Sequence, residues 1–412
     1  MHGAWLSTHV KAARPRVLAA LNRYFQDIDL AEDAFQEASI RAVKTWSDET
    51  LPKDPVAWLI VAGRNYGIDQ IRKRKREALT SPETFEPIPD ETYLSDDMPG
   101  ALDQAHFRDD VVRLLFTCCH PILRKDQQIA LALKIVAGLS VDEIARAFLV
   151  QPKTMEQRIT RAKKKIQAAK LSYEEPDATQ RTERLQSVAN AIYLVFNEGY
   201  SASQGEAIIR ETLCDEAIRL ARLLVRLFPE EPELKGLLSL CLVQHSRSTA
   251  RVSEDGMPIT LDEQDRNLWD KNRIAEGTVL LETALLKHAP GPLQIEAAIA
   301  ATHARAKTYK ETDWAEIERL YRALDHIRPS PVVKLNRAVV LAKINGQEAA
   351  LRQLEPLASS LSRYASFHAA KATLLAETGN SDAAKSAFEE AIKLAGTETE
   401  RAHLLKQLKN LK

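Results

Sequence analysis

Lys153, Gln157, Arg161 and Lys164 follow one another at helical spacing, so on a helix they share one face. Arginine can bond guanine through two hydrogen bonds, glutamine can bond adenine, and lysine meets phosphate. An α-helix in the major groove of DNA presents such a set. Thr154, Arg158 and Thr160 flank the stripe. Lys163, Lys164 and Lys165 come late, beyond the turns that usually read bases, and phosphate contact is expected of them. A solvated charged helix would have the same composition. The opposite face favours the DNA reading, because Met155, Ile159, Ala162 and Ile166 form an apolar stripe that predicts a docked helix.

A second constellation lies earlier. Trp58, Asn65, Asp69 and Arg72 fall on one side of a helix, with Arg64 close by and Lys73 and Arg74 continuing the basic run. An aromatic ring can stack on an unpaired base, an amide can bond its edge, and the cations can hold the phosphates. A tryptophan packed in a core would give the same pattern. Asp33, Gln36, Glu37 and Arg41 form a third stripe, which taken alone reads equally well as a solvated face.

Chemistry of other kinds finds little support. Cys118, Cys119 and His120 are adjacent, but no second pair follows at metal-ligand spacing. Cys214 and Cys241 sit alone in apolar helical stretches and read as core thiols. His303 and His368 lie in helix-packing contexts. A glycine-rich phosphate loop, a nucleophile elbow and an HExxH pair are all missing. The expectation is no enzymatic activity, no metal and no cofactor.

The elements that must position these residues are helices. The 412 residues are 45% hydrophobic and 28% charged, with only 6% aromatics and 14 Gly, which argues against a β-sandwich or barrel. Ala, Leu, Arg, Glu and Lys dominate, with apolar residues at spacings of three and four. Asp54 is a candidate N-cap and Pro55 suits the first helical position. Gln127–Ala137 predicts a helix ended by Gly138. Ser140 and Glu143 predict a capping box for a short helix, VDEIARAF. Leu149–Gln151 makes a turn, and Pro152 opens the long helix to about Lys170. Short helix, tight turn and long helix is the helix-turn-helix arrangement.

Charge divides the chain further. The total is balanced, with 57 Lys and Arg against 57 Asp and Glu, so no globally basic coat exists. Residues 64–76 hold six cations against Asp69, and residues 146–170 hold eight against Glu156. Between them, residues 77–110 hold ten acids and only Arg108. The Pro- and Ser-rich part of that stretch reads as a flexible linker. It is either a solvated spacer or a cover for the basic surfaces. A second linker is expected at Ser172–Thr182. The expected division is 1–76, the acidic linker 77–107, 108–171, and a helical region 183–412. Four cysteines and no apolar signal core in MHGAWLSTHVKAARPR fit a cytoplasmic protein, and no run approaches the roughly 20 apolar residues of a membrane helix.

Within 183–412 the repeats are weak. Gly379, Ala384, Phe388 and Ala391 have the small–aromatic–small spacing of a tetratricopeptide second helix, and Ala217, Ala221, Leu224 and Pro229 fit the same template with its aromatic position replaced. A generic helical bundle is the alternative. Two polar–aromatic clusters stand out: Asn197, Glu198 and Tyr200, and Asp265, Arg266 and Trp269. Either they bond each other and lock the helices together, or they line a regulatory pocket for a peptide, a partner or a small ligand.

Three stretches together carry a family resemblance: DLAEDAFQEASIRAVKTW, PVAWLIVAGRNYGIDQIRKRKR and GLSVDEIARAFLVQPKTMEQRITRAKKKI. In order they resemble regions 2.1–2.2, 2.3–2.4 and 4 of the extracytoplasmic-function group of sigma-70 factors. The later stretches YLVFNEGYSAS, LDEQDRNLWD, PGPLQIEAAIAATHA, TDWAEIERLY and SPVVKLNRAVVLA resemble a subgroup with a tetratricopeptide-like extension. The resemblance implies an all-α chain of two sigma domains and a helical-repeat domain. Its implied partners are core RNA polymerase and promoter DNA, with no membrane, and it would be nucleoid-associated when in holoenzyme. It implies that Asp33, Gln36, Glu37 and Arg41 grip core polymerase. Trp58, Arg64, Asn65, Asp69, Arg72, Lys73 and Arg74 would then read the −10 element, and Lys153, Thr154, Gln157, Arg158, Arg161 and Lys164 the −35 element. The turn LVQPKT departs from the usual pattern, which leaves the pairing of side chains to bases open. The competing reading is a helix-turn-helix transcriptional regulator with a helical-repeat sensor.

Overall fold

A computed structural model describes residues 2–47, 50–78, 104–148, 150–169, 178–200, 211–253 and 257–411. Most of the acidic linker, most of the second linker, Leu149 of the turn and Ser201–Ser203 lie outside the described residues. Every named element among those described is helical, apart from one isolated bridge between Val252 and Pro258. The fold is therefore all-α, as expected. The chain divides into two compact units, residues 1–146 with 150–191, and residues 192–412 with 147–149.

In the first unit, α1 (His2–Phe25), α2 (Ile28–Thr45) and α3 (Pro55–Ala78) pack against one another, and α4 (Gln104–Cys118) packs on α1. Caps set the helix starts. Asp27 Oδ1 accepts from the backbone N–H groups of Asp29 and Leu30 at 2.9 and 3.1 Å. Asp54 does the same for Val56 and Ala57, both at 3.0 Å. Each satisfies donors that the first helical turn leaves open. Leu30, Ala31, Ala34, Phe35, Ala38 and Ala42 bury one face of α2.

The next elements are α5 (Lys125–Ala132), a π-turn at Leu133–Ala137, α6 (Val141–Ala147) and α7 (Pro152–Ala168). The helix predicted over Gln127–Ala137 is thus α in its first part and π in its last turn. Gly138 ends it at φ 78, a left-handed conformation that costs glycine no Cβ clash. The capping box forms as read. Ser140 N–H donates to Glu143 Oε2 at 2.7 Å, and Glu143 N–H donates to Ser140 Oγ at 3.1 Å.

α8 (Ala178–Tyr200) begins inside the stretch expected to be linker; its residues to Ala191 belong to the first unit and those from Ile192 to the second. The helices that follow are α9 (Glu211–Leu227), α10 (Pro232–His245), α11 (Lys271–Leu285), α12 (Pro292–Arg305) and α13 (Trp314–Ile327). They continue with α14 (Pro331–Asn345), α15 (Gln347–Leu354), α16 (Ala365–Glu377), α17 (Ser381–Leu394) and α18 (Glu398–Lys409). From α9 onward each helix packs on the next. Pro232, Pro292 and Pro331 open their helices, and Asp270, Asp313, Ser330, Asn380 and Thr397 cap theirs. The small-residue pattern of α17 is a packing pattern: Ala384, Ala387, Phe388 and Ala391 are buried there. Ala217, Ala221 and Leu224 are buried in α9.

Candidate nucleic-acid and polymerase interface

α7 is built as its sequence predicts. Met155, Ile159, Ala162 and Ile166 are its buried residues. Removing one such large side chain costs about 2–5 kcal/mol, so the buried stripe fixes the rotation of the helix. That rotation exposes Lys153, Thr154, Gln157, Arg161 and Lys164. Arg158 differs: its Nε lies 3.4 Å from Asp126 Oδ2, and it is half-buried. Lys165 Nζ donates to the Ile122 carbonyl at 3.3 Å.

Lys163 is where the sequence reading fails. Its place in the lysine run predicts a phosphate contact, yet its Nζ lies 2.6 Å from both Asp29 Oδ1 and Glu32 Oε2 on α2. Glu32 is also held from the other side by Arg14 Nη2, at 3.1 Å from Oε1. Arg14 ties the helices further, donating to the carbonyls of Ile135 and Lys134, both at 3.1 Å, and lying over the Phe35 ring. The Glu32 side chain is 6% exposed and that of Lys163 14%, so this is a shielded network and not a surface pair. Burial alone would lower the Lys163 value; Glu32 and Asp29 outweigh it and raise the ammonium above its ordinary value. Burial lowers that of Arg14.

Asp33, Gln36 and Arg41 are exposed on α2, and Glu37 is half-buried, accepting from Arg41 Nε at 3.0 Å. Burial, then Asp29 and Glu32, raise the Asp33 carboxyl, with Lys163 and Arg74 opposing. The structure adds two residues that sequence reasoning missed. Ile40 and Val43 share this outer side and are 49% and 62% exposed. The signal was available, since both stand among polar residues, off the alanine stripe that packs inward.

On α3, Asn65, Asp69, Arg72, Lys73 and Arg74 are exposed. Trp58 is half-buried, its ring edge-on to Trp46 at 5.2 Å, so it serves as both a core ring and a partly open face. Arg64 is half-buried with its guanidinium 5.9 Å from the Tyr24 ring centroid.

In the second unit, Tyr200, Arg266 and Trp269 come together through an arginine that the sequence did not single out. Arg247 donates to the Tyr200 hydroxyl at 2.7 Å and lies over the Trp269 ring, as does Arg266. Arg266 donates to the carbonyls of His303 and Ala306 at 2.6 and 2.7 Å, and Arg251 donates to that of Tyr200 at 2.6 Å. Asp265 instead caps a short turn through Asn267 N–H, and the Asn197 side chain faces the Tyr193 hydroxyl. Gly199 lets α9 approach, since a Cβ there would lie 2.8 Å from the Cys214 nitrogen. Cys118, Cys119, Cys214 and Cys241 are buried; burial pushes Cys119 and Cys214 up to about 12. Among the described residues no helix is long and apolar enough to cross a membrane.

α7 is docked through its apolar stripe with a basic face outward, and α3 carries a second basic run, an arrangement compatible with nucleic-acid binding. Comparison with known proteins agrees. Residues 9–77 match Sigma-70 region 2, residues 113–166 match Sigma-70, region 4, and residues 184–285 match a family of unknown function, DUF6596. The uncharacterized protein R00370 of Rhizobium meliloti (strain 1021) is 51% identical over 407 residues, covering 99% of this chain and 96% of that protein. The chain belongs to the sigma-70 family: it is a sigma factor of promoter-directed transcription initiation with an additional helical C-terminal domain. That membership implies core RNA polymerase and promoter DNA as partners.

Proposed function

We propose that the chain is a sigma factor of the extracytoplasmic-function type, with a tetratricopeptide-like C-terminal extension that regulates it. It acts in the cytoplasm and has no catalysis of its own; the polymerase supplies the chemistry. The observation that carries this reading is α7, whose buried stripe turns Lys153, Gln157, Arg161 and Lys164 outward together. These residues, with Thr154 and Arg158, read the −35 element. Asn65, Asp69, Arg72, Lys73 and Arg74, with Trp58 and Arg64, engage the −10 element. Asp33, Gln36, Glu37 and Arg41 grip core polymerase, and Ile40 and Val43 supply apolar area to the same contact.

We infer that the described form is a closed one. The −35 and −10 positions are about 85 Å apart along B-DNA, at about 3.4 Å per base pair. α7 and α2 meet through Lys163, Asp29 and Glu32, and opening that contact would free the two modules to span both elements. Core binding to α2 is the step that opens it.

Fluorescence anisotropy of a labelled promoter fragment tests the reading. A sigma factor binds it tightly with core polymerase and far more weakly alone. Equal binding with and without core would support a conventional regulator instead.

A further inference from the structure

The second unit holds a pocket of about 560 Å3, within the range of small-molecule sites. One face of α12 runs along it. Glu296, Ile299, Ala300 and His303 all line the pocket, at the spacing that keeps residues on one helical face. The two polar positions are about 10 Å apart along the helix axis, at 1.5 Å per residue, and the stretch between them is apolar.

The two ends differ in charge. At the Glu296 end the carboxylate is satisfied, accepting from Arg328 and from the Tyr193 hydroxyl. At the His303 end two guanidinium groups, Arg247 and Arg266, act on the ring, with Glu311 partly offsetting Arg266. Arg247 lines the pocket there, and the one hydrogen bond that its guanidinium makes among the described residues goes to the Tyr200 hydroxyl. Arg266, on the same Trp269 ring, bonds two carbonyls and the Thr312 hydroxyl, none of them a carboxylate. His303 Nδ1 is buried and has no hydrogen-bond partner among the described residues. Burial, then Arg247 and Arg266, push the His303 ring down to about 4, so it is neutral at pH 7. A guanidinium with unused donors beside an unsatisfied imidazole, at the end of the apolar Ile299–Ala300 face, can take an oxyanion.

We propose that this pocket binds a small amphipathic organic anion, its oxyanion head between Arg247 and His303 and its apolar body along Ile299 and Ala300. The site does not depend on the sigma reading, because its test uses ligand binding alone.

The test titrates the full chain with anilinonaphthalene sulfonate, an apolar body with one oxyanion, and with neutral phenylnaphthylamine. The sulfonate binds at one saturable site, about tenfold more tightly than the neutral compound. Arg247→Gln removes about that tenfold advantage and leaves the neutral compound unchanged. Ala300→Trp fills the pocket and abolishes both. Circular dichroism checks each fold; if Arg247→Gln does not fold, Ala300→Trp and the comparison of the two compounds on the native chain carry the test. Sulfonate affinity unchanged in Arg247→Gln or Ala300→Trp, or equal affinity for the two compounds, would overturn the proposal.

Discussion

Lys163 on α7 and Glu32 on α2 meet at 2.6 Å, with the carboxylate 6% exposed and clasped on its other oxygen by Arg14. One buried acid thus holds a cation from each of the two matched sigma regions. The contact ties a helix proposed to read DNA to a helix proposed to grip polymerase.

Breaking the clasp should be measurable as coupling. Lys163→Met and Glu32→Gln, alone and together, form a double-mutant cycle in chemical unfolding. The coupling energy should reach about 1–3 kcal/mol, because the pair is shielded from water. Additive effects would show that the contact does not hold the modules together. Lys163→Met should also raise core-independent DNA binding, read by anisotropy, by freeing α7.

Asp33 carries a cost to stability on the face proposed to grip polymerase. Its folded-state carboxyl is raised by burial and by Asp29 and Glu32. Ionised Asp33 therefore destabilises the fold above the ordinary carboxylate range, and the cost disappears as pH falls through it. Asp33→Asn should melt higher than the native chain near pH 7, with the gap closing as pH approaches about 4. The same variant should bind core polymerase about tenfold more weakly, as expected for a lost charge-assisted bond.

The exposed residues of α7 should separate by role. Arg161→Ala should relax base preference at one position by about 1–3 kcal/mol. Lys164→Ala should weaken binding uniformly and lower the salt slope by about one. Arg158→Ala should affect stability as well, because its guanidinium faces Asp126. Binding curves on single-base promoter variants at several salt concentrations distinguish these.

Ile40 and Val43 are exposed apolar residues beside the α2 polar stripe. Replacing both by Ser should leave thermal stability near native, since neither is buried, and should weaken core binding. Interferometry with immobilised core polymerase measures this; unchanged affinity would place the contact elsewhere.

The periodic features were legible in the sequence. The α7 stripe, the Ser140–Glu143 box, the Asp54 cap and the stop at Gly138 are local, and residue types at fixed spacing specify them. Lys163 was not legible because its partners lie more than 130 residues away in sequence, and a lysine run on a helix predicts solvent or phosphate equally. Arg247 was missed for the same reason: nothing local in HSRSTAR distinguishes it, and only the fold brings it to Tyr200, Trp269 and the pocket. His303 reads as a packing histidine and does contact the Trp314 ring, yet its Nδ1 stays unsatisfied beside the pocket.

Run-off transcription with purified bacterial core polymerase tests the central claim most directly. The template is a promoter from upstream of the gene itself, and the full-length protein is compared with a Glu37→Lys, Ile40→Glu variant. A specific transcript with the native chain, absent from core alone and lost in the variant while DNA contacts remain intact, is the predicted result. No transcript, with tight duplex binding in the absence of core, would contradict it.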